Sequence, residues 1–413
     1  MKWLGRHSGE SRNPVETIRY GCRLVGRHDD EELAQSFIKC RSERIARYFC
    51  LLIVALPIAC SDPVTEQAMH HNRPVEGYMV AVNRPDHMHL IELATNSIVR
   101  TCKLPAYATP GTVVMSPDHN TAYVLANRFR EVYGLNIDSC ELVFSTRQNH
   151  DNLRVISYGT IAVSPDGREL YLHQNPTLVM NDHYEVQETR LAVFSTAAGL
   201  DAEPIRSLPA PRQIMIINTD ASGTLYLAGP DVYALDVQTG DLRVVIRSRS
   251  LDDPRYSPRD ALTIWPIGTV SNEFIRLYTV ARFTDDSRNP ETADWLWGYE
   301  RIDLSSGAAE SREFAPLEAV FFSGMHRPGH ADQIYMTFNQ LKRFDVEAMR
   351  ETGTVDLDHS YYQVNFSPDG STVYVSGAEH DIGVFDAETL QKITNIQLPG
   401  GDMALSTTAV FKR

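Results

Sequence analysis

The chain has 413 residues, 43% of them hydrophobic, so it is long enough for one large domain or two ordinary ones. Its 53 acidic residues outnumber its 39 basic residues and give a formal net charge of −14. No basic face of any length occurs, which argues against nucleic acid as a partner.

The first 43 residues differ from the rest of the chain, because they are charged and show no sustained hydrophobic period. Residues 44–60 are predicted to be a secretory signal peptide, with a basic flank, a short apolar run and a small residue before a break. The apolar run is too short for a comfortable membrane span. Because this signal lies so far inside the chain, residues 1–43 are predicted to be an extension from a misassigned translation start, or else disordered.

Two alternatives stay open for the N-terminal region. One is a disordered basic tail followed by a membrane anchor. The other is a lipoprotein, since the residues ending at Cys60 weakly resemble a lipoprotein cleavage site, and membrane attachment is expected only if Cys60 is lipidated. Residues 61–76 are predicted to be a linker and residues 77–413 the folded domain of an exported protein.

A turn signature with a strand on each side recurs along the folded region. The tetrapeptides SPDH at 116–119, SPDG at 164–167 and SPDG at 367–370 each follow an apolar strand and precede a strand centred on tyrosine. Turn residues at this spacing between β-branched and aromatic residues indicate antiparallel strands. The aspartates of this signature are interpreted as turn formers rather than ligands.

The repeats divide the domain into seven units. They comprise a partial unit at 77–104 and units at about 110–147, 157–208, 212–247, 260–314, 318–357 and 361–398. The alternating segment 402–412 has the pattern of a first strand, and supplying it to the partial unit closes a ring and removes the exposed edges. The predicted fold class is therefore all-β, a seven-bladed β-propeller closed by the C-terminal strand pairing into the first blade.

The predicted topology sorts the loops onto two rims. The turns after second strands and the blade-to-blade connections share one of them, which we call the elaborated rim. It receives insertions at 174–189 and 284–296 and long connections at 147–157 and 248–260. Because function in propellers usually lies on such loops, this rim is the candidate binding surface.

The candidate site residues lie on or near the elaborated rim. They are His150, Asp151, Tyr184, Tyr256, Trp295, His359 and Tyr361. A histidine beside a carboxylate, as at 150–151 and 358–359, could serve acid–base chemistry, although strand capping or partner contact is the stronger interpretation. The aromatic residues, with Trp297 and Tyr362, are interpreted as interface anchors, as the lining of an apolar substrate path, or as packing beneath the insertions.

The two cysteines of the folded region, Cys102 and Cys140, could form a disulfide in an oxidising compartment. The predicted strands place Cys102 late in an outer strand and Cys140 in a turn at the opposite rim, so the pairing stays open. No Cys/His spacing indicates zinc or a c-type haem. No nucleophile, phosphate-binding or metal motif occurs either, so no catalytic, cofactor or metal residue is predicted in this chain.

Several rim connections carry sequences that are not general propeller signals, notably QNHDNLRV at 148–155 and LPGGDMA at 398–404. The other stretches that carry the resemblance described next are at 116–140, 173–176, 210–214 and 395–397. With these stretches, residues 77–412 resemble the β subunit of quinohemoprotein amine dehydrogenase, a relative of the methylamine dehydrogenase heavy chain. The first 43 residues depart from that family.

The resemblance implies a non-catalytic subunit of a periplasmic αβγ complex that oxidises primary amines to aldehyde and ammonia. The implied partners are an α subunit with two c-type haems and a small γ subunit that carries cysteine tryptophylquinone. The propeller itself would hold no cofactor; it would seat the γ subunit and wall part of the substrate cavity. Two other function classes remain, a lactonase-like hydrolase and a free-standing exported binding propeller.

Overall fold

The computed structural model describes residues 76–262 and 270–413. The predicted extension and signal peptide, and the linker up to residue 75, lie outside the described residues. The described part forms seven antiparallel sheets around a common axis, six with four strands and one with six. The predicted seven-bladed β-propeller is therefore confirmed.

The strands are numbered β1–β30 in chain order, and each blade is given from the axis outward. Blade 1 consists of β30 (Thr408–Phe411), β1 (Tyr78–Asn83), β2 (His87–Glu92) and β3 (Ser97–Lys103). Blade 2 consists of β4 (Val113–Met115), β5 (Thr121–Ala126), β6 (Glu131–Asn136) and β7 (Leu142–Arg147). Blade 3 consists of β9 (Ile161–Val163), β10 (Glu169–Val179), β12 (Arg190–Ser195) and β13 (Arg206–Pro209), with β8 (Leu153–Ile156) and β11 (Tyr184–Val186) added.

The remaining blades have four strands each. Blade 4 consists of β14 (Ile216–Thr219), β15 (Thr224–Ala228), β16 (Val232–Asp236) and β17 (Leu242–Ile246). Blade 5 consists of β18 (Asp260–Ala261), β19 (Glu273–Arg282), β20 (Asp294–Asp303) and β21 (Ala309–Pro316). Blade 6 consists of β22 (Ser323–Arg327), β23 (His330–Thr337), β24 (Gln340–Asp345) and β25 (Arg350–Asp356). Blade 7 consists of β26 (Gln363–Phe366), β27 (Thr372–Ser376), β28 (Asp381–Asp386) and β29 (Lys392–Gln397).

Helical structure in the described part is limited to one 3₁₀ turn, Thr196–Ala198. Within residues 76–262 and 270–413, no helix has the length and apolarity needed to cross a membrane.

The Ser-Pro-Asp turns form because their polar side chains replace backbone partners. In blade 7 the Ser367 hydroxyl donates to Asp369 Oδ1 at 2.6 Å and accepts the N–H of Thr372 at 3.0 Å. The same bonds recur in blades 2 and 3. In blade 2 this hydrogen bonding, led by the Ser116 hydroxyl, holds the pKa of Asp118 below its usual value. These aspartates are turn formers, as their short-range side-chain bonds allow.

The hydrophobic core lies in layers between neighbouring blades. Each core cluster joins side chains of adjacent blades, for example Phe144 of blade 2 with Leu170 and Phe194 of blade 3. A blade that has a neighbour on each side buries both faces of its middle strands, because side chains of facing sheets interdigitate. For this reason β27 and β28 are buried at every position, although their sequence alternates.

The ring closes as predicted, because the C-terminal strand supplies the inner strand of blade 1. β30 pairs antiparallel with β1, which places Tyr78 opposite Phe411 and Ala81 opposite Thr408. This pairing leaves neither end of the ring with an open inner edge.

The structure replaces parts of three predicted rim loops, at 147–157, 174–189 and 284–296, with strands. β10 continues beyond the body of blade 3, where Leu178 pairs with Leu153 of β8 and with Glu185 of β11. We call β8, β11 and residues 175–179 the blade 3 flap. In blade 5, β19 and β20 stay paired over ten residues each, so part of the predicted insertion is strand. Both extensions arise because exposed backbone groups of the insertions pair with each other.

Cys102 and Cys140 form a disulfide with Cα atoms 5.3 Å apart. The expectation that they lie at opposite rims is therefore wrong. Neighbouring strands in a sheet twist by roughly 20–25°, so the fourth strand of a blade runs obliquely to the first. The end of β3 in blade 1 can thereby reach the turn after β6 in blade 2.

Candidate functional site

The exposed aromatic side chains of the described chain are concentrated on the elaborated rim. The aromatic residues among its exposed large hydrophobic side chains are Tyr107, Tyr158, Tyr184 and Trp295, and all lie on blade connections or insertions of this rim. Elsewhere the exposed large hydrophobic residues are aliphatic or methionine: Val99, Val143, Leu200, Ile205, Leu242, Val244, Met349 and Ile393. Aromatic residues with solvent-exposed faces are the usual anchors of protein interfaces.

The blade 3 flap carries two of the most exposed hydrophobic side chains. Tyr184 is 73% exposed and Val186 is 66% exposed, both on the short strand β11. The preceding His183 contacts its neighbours at the hairpin tip, with Nδ1 2.7 Å from Asp182 Oδ1 and Nε2 3.2 Å from Glu185 Oε1. Backbone pairing with β10 forms the hairpin, and its hydrophobic side chains stay open to solvent.

The adjacent residues His150 and Asp151 lie in the turn that leads into β8, and the structure does not pair their side chains. The imidazole Nε2 of His150 is 3.9 Å from Glu203 Oε1. Asp151 has a positive φ of 46° and uses its backbone carbonyl to accept a bond from Arg154 at 2.7 Å. The acid–base interpretation of this dipeptide therefore lacks a contact between the two side chains.

The candidate aromatic residues of blade 5 differ in burial, and some lie at the surface while others lie in the core. Trp295 is 46% exposed, and its indole N–H donates to the Pro290 carbonyl at 3.1 Å. Trp297, two residues on, is buried against Phe321 with ring centroids 5.6 Å apart. Tyr256 is half-buried and packs against the blade 5 core. Only Trp295 of these three is a strong candidate for partner contact.

His359 and Tyr361 meet a carboxylate from another part of the chain. His359 Nε2 lies 2.8 Å from Asp381 Oδ1, and the Tyr361 hydroxyl donates to Asp381 Oδ2 at 2.9 Å. The two rings are 4.1 Å apart. The predicted neighbour Asp358 instead pairs with Lys392 and accepts a bond from Asn395 at 3.3 Å.

This three-residue group anchors the connection between blades 6 and 7. Asp381 and Tyr361 are buried, whereas about a quarter of the His359 side chain is exposed, 26%. Burial, with the nearby Asp381 carboxylate, raises the pKa of Tyr361 above its usual value, so its phenol stays protonated and donates. The sequence did not indicate Asp381 as a site residue, because it lies on a strand 20 residues after Tyr361.

The sequence also did not indicate that a set of arginines lies together on the same rim. Arg212, Arg249, Arg259 and Arg276 line one cavity, although they come from two blade connections and a strand. Their spacing in sequence follows no motif. Among residues 76–262 and 270–413, no group of three or more His, Cys, Asp or Glu residues could hold a metal ion.

Comparison with known proteins finds the fold only. No family model matches the chain, and no curated protein matches it. Among solved structures, the dihydro-heme d1 dehydrogenase NirN in complex with DHE is 14% identical, with a TM-score of 0.47 over 80% of this chain and 76% of that chain. Hydrazine synthase of Kuenenia stuttgartiensis is 14% identical, with a TM-score of 0.47 over 81% of this chain and 99% of that chain. This chain shares a distant likeness of fold with both.

Proposed function

We propose that this chain is a non-catalytic propeller subunit of a periplasmic amine dehydrogenase of the quinohemoprotein type. The observation that carries the proposal is the segregation of exposed aromatic residues, which include Tyr184 and Trp295, onto the elaborated rim. Exposed aromatic residues collected on one face are typical of a surface that binds partners. The rim would seat a small quinone-bearing subunit and wall part of its substrate cavity.

Two of the stretches that carry the family resemblance, QNHDNLRV and LPGGDMA, form connections of this rim, which supports the proposal. In QNHDNLRV, Gln148 Oε1 accepts a bond from the Ser157 hydroxyl at 2.8 Å, and Asn149 Oδ1 accepts the N–H of Val155 at 2.7 Å. In LPGGDMA, the backbone of Gly401 is held by Asn83 at 2.9 Å. The distinctive sequence therefore shapes two connections that a partner would meet.

In the proposed complex a primary amine and water give an aldehyde, ammonia, two electrons and two protons. The quinone cofactor in the small subunit would accept the electrons, and c-type haems in a further subunit would pass them on. This chain would contribute binding and orientation, since its candidate residues supply surface rather than a reacting group. The Cys102–Cys140 disulfide is in keeping with an exported protein.

The test is purification of the tagged chain at low salt from the cells that produce it, followed by absorption spectroscopy and mass spectrometry. We expect a c-type haem chain and a small quinone-bearing chain to co-purify. Replacing Tyr184 and Trp295 by alanine should reduce their recovery about tenfold or more, because interface aromatics contribute disproportionately to binding.

A matched control replaces Leu242 and Ile393, exposed residues on the outer strands of blades 4 and 7, by alanine. This variant should keep both partners. Recovery of the wild-type chain alone, without haem absorption, would overturn the proposal and favour a free-standing binding propeller.

A further inference from the structure

The blade 3 flap has one open edge, which is the outer side of β11. This strand pairs with β10 alone among the strands of the described chain. The opposite edge of the flap, β8, is closed by the turn that precedes it. Val155 donates its N–H to Asn149 Oδ1 at 2.7 Å, and His150 and Leu153 exchange backbone hydrogen bonds.

The hydrogen bonds of the hairpin show which backbone groups of β11 point outward. In an antiparallel pair, successive residues direct their N–H and C=O groups alternately toward the partner strand and away from it. The N–H of Met180 donates to the His183 carbonyl at 3.0 Å, and that of Gln187 to the Pro176 carbonyl at 3.0 Å. Residues 183, 185 and 187 therefore face β10, and the two residues between them present their backbone groups outward.

The outer strands of the other blades are interrupted, whereas β11 is not. The outer strand of each four-stranded blade contains one bulged residue: Val99, Val143, Val245, Phe314, Thr352 or Ile393. A bulge breaks the row of free backbone groups and opposes pairing with another chain. β11 keeps one register with β10 over its whole length and contains no proline. This edge is therefore open to an added strand.

The side chains of β11 differ between its two faces. Residues two apart in a strand share a face, so Tyr184 and Val186 lie on one face with Val179, the partner of Tyr184 in β10. Glu185 lies on the other face, with 47% of its side chain exposed. Its ion-pair contact among the described residues is with His183. A strand laid along β11 would meet apolar side chains on one face and a carboxylate on the other.

A second copy of this chain does not suit this edge. Antiparallel pairing of two β11 strands through both outward residues places Tyr184 of each copy opposite Val186 of the other. The two Glu185 side chains are then directly opposite each other, and like charges in that position are destabilising. A lysine or arginine opposite Glu185 forms a favourable cross-strand pair instead.

We propose that β11 binds an extended segment of another protein by antiparallel strand addition, with a basic residue opposite Glu185 and apolar residues opposite Tyr184 and Val186. In strand addition, backbone hydrogen bonds supply the affinity and alternate side chains supply the selectivity. The inference goes beyond the proposed function, because this mode of binding does not require the partner to belong to an amine dehydrogenase.

The test uses a dye-labelled, capped heptapeptide of alternating lysine and valine, titrated with the purified protein and followed by fluorescence anisotropy. In the proposed pairing the valines direct their N–H groups at β11 and the lysines direct theirs away. We expect saturable one-to-one binding below about 1 mM peptide. N-methylation of the valines should weaken binding at least tenfold, and N-methylation of the lysines by less than about threefold. Absence of saturable binding, or equal effects of the two methylations, would overturn the proposal.

Two variants of one position test the free backbone group. Val186→Pro removes an outward N–H and leaves the hydrogen bonds to β10 in place, so it should weaken peptide binding at least tenfold. Val186→Thr keeps the N–H and the branched shape, and should stay within about threefold of the wild type. Equal affinity of V186P and V186T would contradict strand addition.

A charge exchange tests the partner's chemistry and remains informative if V186P does not fold. The wild type should bind a peptide of alternating glutamate and valine at least tenfold more weakly than the lysine peptide, and Glu185→Lys should reverse this preference. Equal affinity of the wild type for both peptides would overturn the basic partner. Dimerisation of the wild type in sedimentation, lost in V186P or in E185K, would identify a second copy as the occupant and likewise overturn the proposal.

Discussion

The side-chain nitrogen of Asn83 in β1 lies 2.9 Å from the carbonyl oxygen of Gly401, so the first blade holds the segment that leads into the last strand. The same amide also donates to the Pro399 carbonyl at 3.1 Å. The backbones meet as well, with the Gly401 N–H 2.7 Å from the Arg84 carbonyl. Gly400 has a φ of 117°, and a Cβ there would lie 2.7 Å from the same Arg84 oxygen, so glycine is required.

Removing the Asn83 side chain should weaken ring closure. Asn83→Ala leaves two carbonyl oxygens and the ring N–H of His89 without their partner, and we expect a loss of about 2–4 kcal/mol in the free energy of unfolding. Urea unfolding followed by tryptophan fluorescence measures this. Gln391→Ala, at an exposed position of blade 7, is the control and should change the value by less than about 0.5 kcal/mol. Equal values for the two variants would show that the closure does not depend on this amide.

The buried His89 should make stability depend on pH in a defined window. Its Nε2 is 3.0 Å from Asn83 Oδ1 and its Nδ1 2.9 Å from Thr101 Oγ1. Because Asn83 uses its nitrogen to donate, its oxygen accepts, so Nε2 of His89 carries the proton. Burial, aided by the nearby His87, lowers the pKa of His89 to about 4. The folded protein therefore keeps this imidazole neutral.

Below pH 6.5 the unfolded chain binds a proton at His89 that the folded chain does not take up until about pH 4. The contribution of the neutral ring to the free energy of unfolding is thus complete above pH 6.5. It falls by up to about 3 kcal/mol as the pH drops from 6.5 to about 4. Denaturation at pH 7.5, 5.5 and 4.5 should follow this fall. His89→Gln should flatten it in part, because burial also lowers the pKa of His173. A pH dependence identical in H89Q would refute the assignment to His89.

The propeller could be predicted because its turns are determined locally. Ser367, Asp369 and Thr372 bond one another within six residues, so the turn is visible in the sequence wherever this pattern recurs. The closing strand was predictable for a related reason, since an alternating strand without a partner requires one. Local chemistry and repetition together determine the architecture.

The site residues depend on distant parts of the chain and could be predicted only in part. Trp295 and Trp297 are two residues apart on β20, so the strand pattern places both side chains on the same face, yet Trp295 is exposed and Trp297 is buried. The difference depends on how far the neighbouring blade extends along β20. Likewise His359 lies next to Asp358 in sequence but pairs with Asp381. The neighbours His359 and Asp358 thus have different partners, Asp381 and Lys392, which only the folded chain brings to them.

The disulfide should contribute substantially to stability. The bond joins residues 38 positions apart, and in the chain-entropy account a loop of this length stabilises the fold by about 3–4 kcal/mol. The double variant Cys102→Ser with Cys140→Ser should lose that amount in urea unfolding. Wild-type protein unfolded in the presence of dithiothreitol should match the variant. A loss below about 1 kcal/mol in both would mean that the crosslink constrains the unfolded chain little.

Two tyrosines of similar burial should respond differently to loss of their hydroxyl groups. The Tyr361 hydroxyl donates to the buried Asp381 at 2.9 Å, whereas that of Tyr374 in β27 has no hydrogen-bond partner among the described residues. Tyr361→Phe leaves a carboxylate oxygen without its donor and should cost about 1–2 kcal/mol in unfolding free energy. Tyr374→Phe removes an unmatched polar group and should leave stability unchanged or raise it.

Both substitutions delete one oxygen atom from a fully buried ring, so packing and hydrophobic burial change almost equally. The difference between the two variants in urea unfolding therefore isolates the bond to Asp381. In Y361F we further expect faster amide hydrogen exchange in residues 358–362, because the Asp381 carboxylate would then hold this rim connection through His359 alone. Equal stability of Y361F and Y374F, with unchanged exchange in the connection, would contradict the anchoring role of this group.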